Sequence, residues 1–183
     1  MNTEKLTPKK CLELLESYGT PPHVVAHCME VARVATRLAE ALNAGGCSLD
    51  LRLTETASLL HDMARLSEAH WDVTADILES AGHPEEAGII RIHMHHQFPR
   101  SGSCPTEADI VCLADRIVLE DHFVGLDERM EYIIRKSGGS PEVRDKIEGV
   151  KRHVGGFIRE IEKRTGESLE ETAQRKDETD EHH

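Results

Sequence analysis

Residues 57–65 read ASLLHDMAR, an apolar stretch running into a histidine and an aspartate side by side. Leu53, Ala57, Leu60 and Ala64 recur at spacings of four, three and four, the period of one helix stripe. A helix reading this way buries its inner face, and His61-Asp62 falls at its end. Burying an imidazole beside a carboxylate is costly unless each is paired or ligates a metal. For the dipeptide alone, a simpler arrangement competes: a histidine meeting the helix C-terminal dipole and a solvated aspartate.

Two further residues tilt the reading toward metal. His27, in VVAHCMEVARVA, lies one turn before Val31 and two before Val34, on the apolar side of its own helix. A lone histidine there would be read as core. Asp115, in DIVCLADRI, sits mid-way along the most apolar helix of the chain, where no backbone amide is free to receive a carboxylate. Arg116 is the structural alternative as its partner. Three helices thus each offer a buried metal-capable group, and helices of one bundle can aim side chains at one core point. Two imidazoles and two carboxylates suit an octahedral divalent ion with water positions left open.

Working outward, the punctuation is helical throughout. Thr7-Pro8 caps a first helix that Gly19 ends. Thr20-Pro21 opens a second, with Val24, Cys28, Val31, Ala35, Leu38 and Leu42 on its inner stripe, and Gly45-Gly46 stops it. Ser48 is the expected cap of the third. A fourth is expected over Glu68 to Ser80 and a fifth from Pro84 to about His95. His96 to Pro105 reads as a loop, TEADIVCLADRIVLED as a buried helix, and Asp127 to Lys136 as a shorter one. Ser140-Pro141 opens a last helix with Val143, Ile147, Val150, Val154, Ile158 and Ile161 inside. No run alternates long enough for a strand. The expected fold is all-α, a single-domain helical bundle over residues 1–164, followed by a polar, disordered tail over 165–183. His182-His183 are excluded from any site.

Composition narrows the function. The chain has 183 residues, a length that suits one domain. No apolar run spans a bilayer, and MNTEKLTPKK is followed by no secretory h-region, so a cytoplasmic location is expected. The five cysteines are scattered without a CxxC pair, which argues against a disulfide scaffold and a thiolate zinc site. Cys28 and Cys112 read as core thiols. A net charge of −12 and only 3% aromatic residues speak against nucleic acid, which needs a basic face or a stacking platform. Twelve histidines are the anomaly.

The order His27, His61-Asp62, Asp115 resembles the HD superfamily of metal-dependent phosphohydrolases over roughly Pro21 to Ile134. The resemblance extends to HWDVTADIL, where His70 matches a helix-opening histidine, and to IIRIHMHH, where His93 aligns best with a further ligand. His96, on the same helix face as His93, is the other candidate ligand, and otherwise faces the opening as a phosphate donor; His95 completes the trio. Within the superfamily the pattern is most similar to the bacterial symmetrical dinucleoside-tetraphosphate hydrolases. The family often has Gly-Lys after the HD pair. Here Ala64-Arg65 follow, keeping the charge and adding a bidentate fork. Only seven residues separate Asp62 from His70, less than the loop of many relatives.

The resemblance implies one or two divalent ions, with iron, manganese, nickel or cobalt favoured over magnesium alone by the mixed donor set. His27, His61, Asp62 and Asp115 would hold the first; Asp62, as the bridge, His70 and His93 would hold the second. Asp62 and Arg65 would be catalytic, with a metal-activated water attacking phosphorus. Arg65, His96, Arg100 and Arg116 would bind the substrate, and Arg129 is a further available anchor. The expected partner is a small phosphorylated metabolite of nucleotide type, and at most a second copy of the chain. Two alternatives differ in class or substrate: a nucleotide-sensing HD module without turnover, and a nucleoside monophosphate nucleotidase. An intact ligand set favours the enzyme. His83, His122 and His153 read as solvated, and Trp71 as core packing or a pocket wall.

Overall fold

The computed structural model describes residues 5–99 and 102–175. Nine helices are present among them: α1 (Pro8–Tyr18), α2 (Pro22–Ala44), α3 (Leu51–Leu60), α4 (His70–Ser80), α5 (Pro84–Ile92), α6 (Glu107–Asp115), α7 (Gly125–Lys136), α8 (Pro141–Thr165) and α9 (Leu169–Ala173). The class is all-α, as expected. None of these helices is long and apolar enough to cross a membrane.

The long α2 is the axis. Val24, Cys28, Val31, Ala35, Leu38 and Leu42 are all buried on it. One core forms where α2 meets α6, α7, α8 and α9, around Leu38, Leu113, Ile117, Met130, Phe157 and Ile161. A second forms where α2 meets α1, α3, α4 and α5, around Leu15, Leu60, Met63, Leu78 and Ile90. Side chains reaching the ends of these helices can therefore converge from both halves of the bundle.

Local chemistry explains most of the boundaries. Thr7 accepts from the Lys10 amide ahead of Pro8, and Gly19 closes α1 in the left-handed region at φ 81°. Thr20 does not cap α2. Its hydroxyl instead donates to the Met63 carbonyl at 2.8 Å, tying the start of α2 to the turn after Asp62. Asp50, rather than Ser48, caps α3, accepting from Leu53 at 2.9 Å. The fourth helix starts at His70 instead of Glu68, and the fifth stops at Ile92, short of His95.

Three expectations are corrected. The buried helix ends at Asp115; Val118–Leu119 and His122–Phe123 then form a hairpin of two residues per strand, with Val118 opposite Phe123 and Leu119 opposite His122. Cys47 and Cys104 form a disulfide, joining the end of α2 to the loop before α6; Cys11, Cys28 and Cys112 are free and buried. The stretch after Thr165 is not without structure up to Arg175. Ser168 and Glu171 make a capping box, Leu169 and Ala173 bury against the first core, and Arg33 donates to the Ala173 carbonyl. Residues 176–183 lie outside the described residues.

The start of α6 carries a buried charge. Asp109 reciprocates the Thr106 cap and pairs with His96 at 2.7 Å. Burial pushes its carboxyl up, but His96 and the Thr106 amide and hydroxyl hold it below the ordinary 3.8. A depressed carboxyl stabilises the fold above its unfolded value and loses that contribution as pH falls through the folded value. Asp109→Asn is therefore expected to cost about 1–2 kcal/mol at pH 7. Urea titrations should show the gap to wild type closing below pH 3.8; a gap that stays constant into acid would show that the charge contributes nothing.

Candidate metal centre

Six residues that could ligate metal meet where five helix ends come together. His27 lies in the second turn of α2. His61 and Asp62 follow the last residue of α3, His70 opens α4, His93 follows α5, and Asp115 closes α6. Asp115 is thus at a helix end, not mid-helix as the sequence suggested. The change strengthens the electrostatic argument: a carboxylate beside the negative end of a helix dipole is unfavourable without a cation.

Backbone carbonyls aim the histidines. The Nδ1 of His61 lies 2.7 Å from the Ser58 carbonyl, that of His93 2.7 Å from Ile90, and that of His27 2.7 Å from Glu120. A carbonyl only accepts, so each Nδ1 carries the proton and each Nε2 is turned to the centre, the arrangement metal-ligating imidazoles use. Glu120, at φ 53°, forms the hairpin turn that presents this carbonyl to His27. Ala69 likewise takes the left-handed region, at φ 49°, immediately before His70. A non-glycine residue there is strained, and such strain gathers at functional sites. Neither Glu120 nor Ala69 carries a signal in the sequence.

The donors sort into two triads, His27 with His61 and Asp115, and Asp62 with His70 and His93; within each, one ligand atom per residue lies within 4.8 Å of the others. Asp62 faces both. Its Oδ2 is 3.8 Å from His61 Nε2, and its Oδ1 is 2.9 Å from His70 Nε2 and 3.9 Å from His93 Nε2. Asp115 Oδ1 lies 3.2 Å from His27 Nε2 and 3.7 Å from His61 Nε2. Buried His61 Nε2 nevertheless has no hydrogen-bond partner. Unpaired buried polar atoms of this kind are rare and costly. A divalent cation would satisfy it, so the residues fit a metal.

The electrostatics agree. Burial pushes Asp62 up, but His61 and His70 hold it well below the carboxylate range. Burial also opposes ionisation of Asp115, and His27 and His61 overcome it. Burial pushes His93 down, helped by the charge of His61, to about 4, so it is neutral and ready to ligate at neutral pH. Burial lowers His61 too, but Cys28, Asp62 and Asp115 raise it further, so proton and metal compete for its Nε2.

The centre opens into a cavity of about 770 Å³. His27, Asp62, His93 and Asp115 line one end, with Arg65 and Arg116 beside them. Arg65 is half-exposed, and its Nη1 lies 3.6 Å from Asp62 and 3.1 Å from His70. Arg116 does not pair with Asp115: it donates to the Cys112 carbonyl, and its guanidinium stands 5.0 Å from the Phe98 ring. His96 does not face the opening. It is bound to Asp109 and packs on Phe98, which removes it from the substrate contacts expected of it. Of its trio only His93 lies in the cluster, while His95 is exposed against Trp71. Trp71 is half-buried between His70 and His95 and does not line the cavity. Arg100 lies outside the described residues. Arg129, Tyr132, Ile133 and Lys136 of α7 also line the cavity. Of these only Arg129 was anticipated, because periodicity shows that α7 has a polar face without showing what it looks at.

An uncharacterized protein of Methanocaldococcus jannaschii is 33% identical over 85 residues, covering 45% of this chain and half of that protein's length. No solved structure matches the chain significantly. Residues 24–119, just over half of the 183, match the HD domain and contain all six clustered side chains. The chain belongs to the HD domain family, whose members are mostly metal-dependent hydrolases.

Proposed function

We propose that this protein is a metal-dependent phosphohydrolase acting on a small phosphorylated metabolite, a nucleotide or dinucleoside polyphosphate. The observation that carries the reading is the pair of ligand triads facing each other across Asp62 at the end of an open cavity. A regulatory module needs no such duplicated donor set.

His27, His61 and Asp115 would hold one ion and His70 with His93 a second, Asp62 offering an oxygen to each. When bound, divalent ions lower the pKa of a water and neutralise phosphoryl charge. The chain supplies the rest. Glu120, Ser58 and Ile90 lock three imidazoles in the required tautomer. Arg65, half in the cavity and already beside Asp62, would swing onto a non-bridging phosphoryl oxygen and hold the phosphorus in line. Its withdrawal from Asp62 and His70 frees both for ligation.

Metals and guanidinium groups grip phosphates, and a polyphosphate uses more of them than a monophosphate. The expected result is higher kcat/KM on diadenosine and diguanosine tetraphosphates than on AMP and GMP, with little difference between the bases. Phosphate release and product chromatography with manganese and iron test this. A clear preference for monophosphates would instead identify a nucleotidase.

A further inference from the structure

One part of the cavity lining lies outside the segment matched to the HD domain. It belongs to α7, which has two working faces. Leu126, Met130 and Ile134, spaced by four, are buried, the first two of them in the first core. Arg129, Tyr132, Ile133 and Lys136, at i, i+3, i+4 and i+7, form the adjacent stripe and line the cavity. Core packing thus fixes the direction in which the second stripe points.

The chemistry of that stripe is specific. The Arg129 guanidinium and the Lys136 ammonium each stand 5.6 Å from the Tyr132 ring centroid, bracketing one half-buried aromatic with two cations. Neither cation is ion-paired with an acidic side chain among the described residues, in a chain of net charge −12. The Nε of Arg129 is buried with no hydrogen-bond partner, a donor held out of water on the wall of the cavity. The acidic groups that share the cavity are Asp62 and Asp115 at the metal end and the exposed Glu120 and Asp121 at the hairpin turn. An anionic ligand reaching away from the metal end would meet its favourable charges on α7.

From this geometry we infer that Arg129, Tyr132 and Lys136 form a distal subsite for the phosphates beyond the scissile one, selecting substrates with two or more phosphates over monophosphates. The inference rests on the phosphohydrolase reading and names the substrate class of the same cavity. A volume of about 770 Å³ is ample for such a ligand and larger than a lone phosphate requires. Arg129 and Lys136 act by binding, not by chemistry at the reacting atoms.

Binding separates this inference from turnover. With manganese in excess, calorimetry on the metal-loaded full chain would compare the β,γ-methylene analogue of ATP with AMP. Arg129→Gln and Lys136→Gln should each weaken the analogue roughly tenfold, the scale of one charge-assisted contact, and leave AMP within about twofold. Arg129→Lys should recover part of the loss, and none of these substitutions, which break no ion pair to an acidic side chain among the described residues, should change the melting temperature. Equal weakening of both ligands, an unchanged affinity for the analogue, or no binding of it by wild type would overturn the subsite. The phosphohydrolase reading fails differently: the analogue binds and depends on α7, but no phosphate ester is cleaved.

Discussion

Replacing Asp62 with alanine should lower turnover by at least about 10³-fold, because several kcal/mol of transition-state charge stabilisation are lost with the ions. Asp62 faces both triads: one carboxylate oxygen looks toward His61 and the other toward His70 and His93. Metal content should fall together with activity. By contrast, His70→Ala and His93→Ala each leave His27, His61 and Asp115 intact, so they should reduce bound metal toward one ion per chain. Elemental analysis of the purified variants beside phosphate-release assays checks both halves. An Asp62→Ala protein with near-wild-type activity would remove this residue from the mechanism.

Stripping the metal should destabilise the fold markedly. Without a cation the cluster holds two carboxylates and an unpaired His61 Nε2 in a buried place, and the strain at Ala69 loses what offsets it. Ions present at a thousand times their dissociation constant stabilise the native state by about 4 kcal/mol. For a domain of this size that is about 8–16 °C in Tm. Thermal melts with and without chelator, followed by back-titration with manganese, measure it directly. The shift should shrink as pH falls, since protons compete at His61. A Tm indifferent to chelator, in protein shown to be metal-replete beforehand, would contradict the assignment.

The helices were legible because their signals are local. Thr7-Pro8, Ser140-Pro141 and the stripe from Val24 to Leu42 each declare themselves within a few residues. The hairpin after Asp115 was not legible, because two residues per strand leave no periodicity and Ile117-Val118 read equally well as buried helix. The Cys47–Cys104 bond joins residues 57 apart, a proximity that spacing alone does not encode. The short α9 is polar outside and rests on only a few buried side chains, so its composition hid it.

At the site, the clustered histidines and aspartates could be named because their residue types and order are distinctive. Their orientation could not. His96 and His93 share a helix face by counting, yet α5 stops at Ile92 and the chain turns, sending His96 to Asp109. The surroundings of Arg116 were hidden for a related reason: adjacency left Asp115 open as its partner, while the ring of Phe98, 18 residues back, took its guanidinium. The α7 wall depends on tertiary contact throughout.

The most direct test of the central claim is a metal titration of the chelated protein, reading bound ions and phosphate release together on a panel of mono- and dinucleotides. The account predicts that activity appears with loading and reaches its plateau at two ions per chain. Protein that binds both ions and releases phosphate from none of these substrates, or that binds no ion at the six-residue cluster, would contradict it.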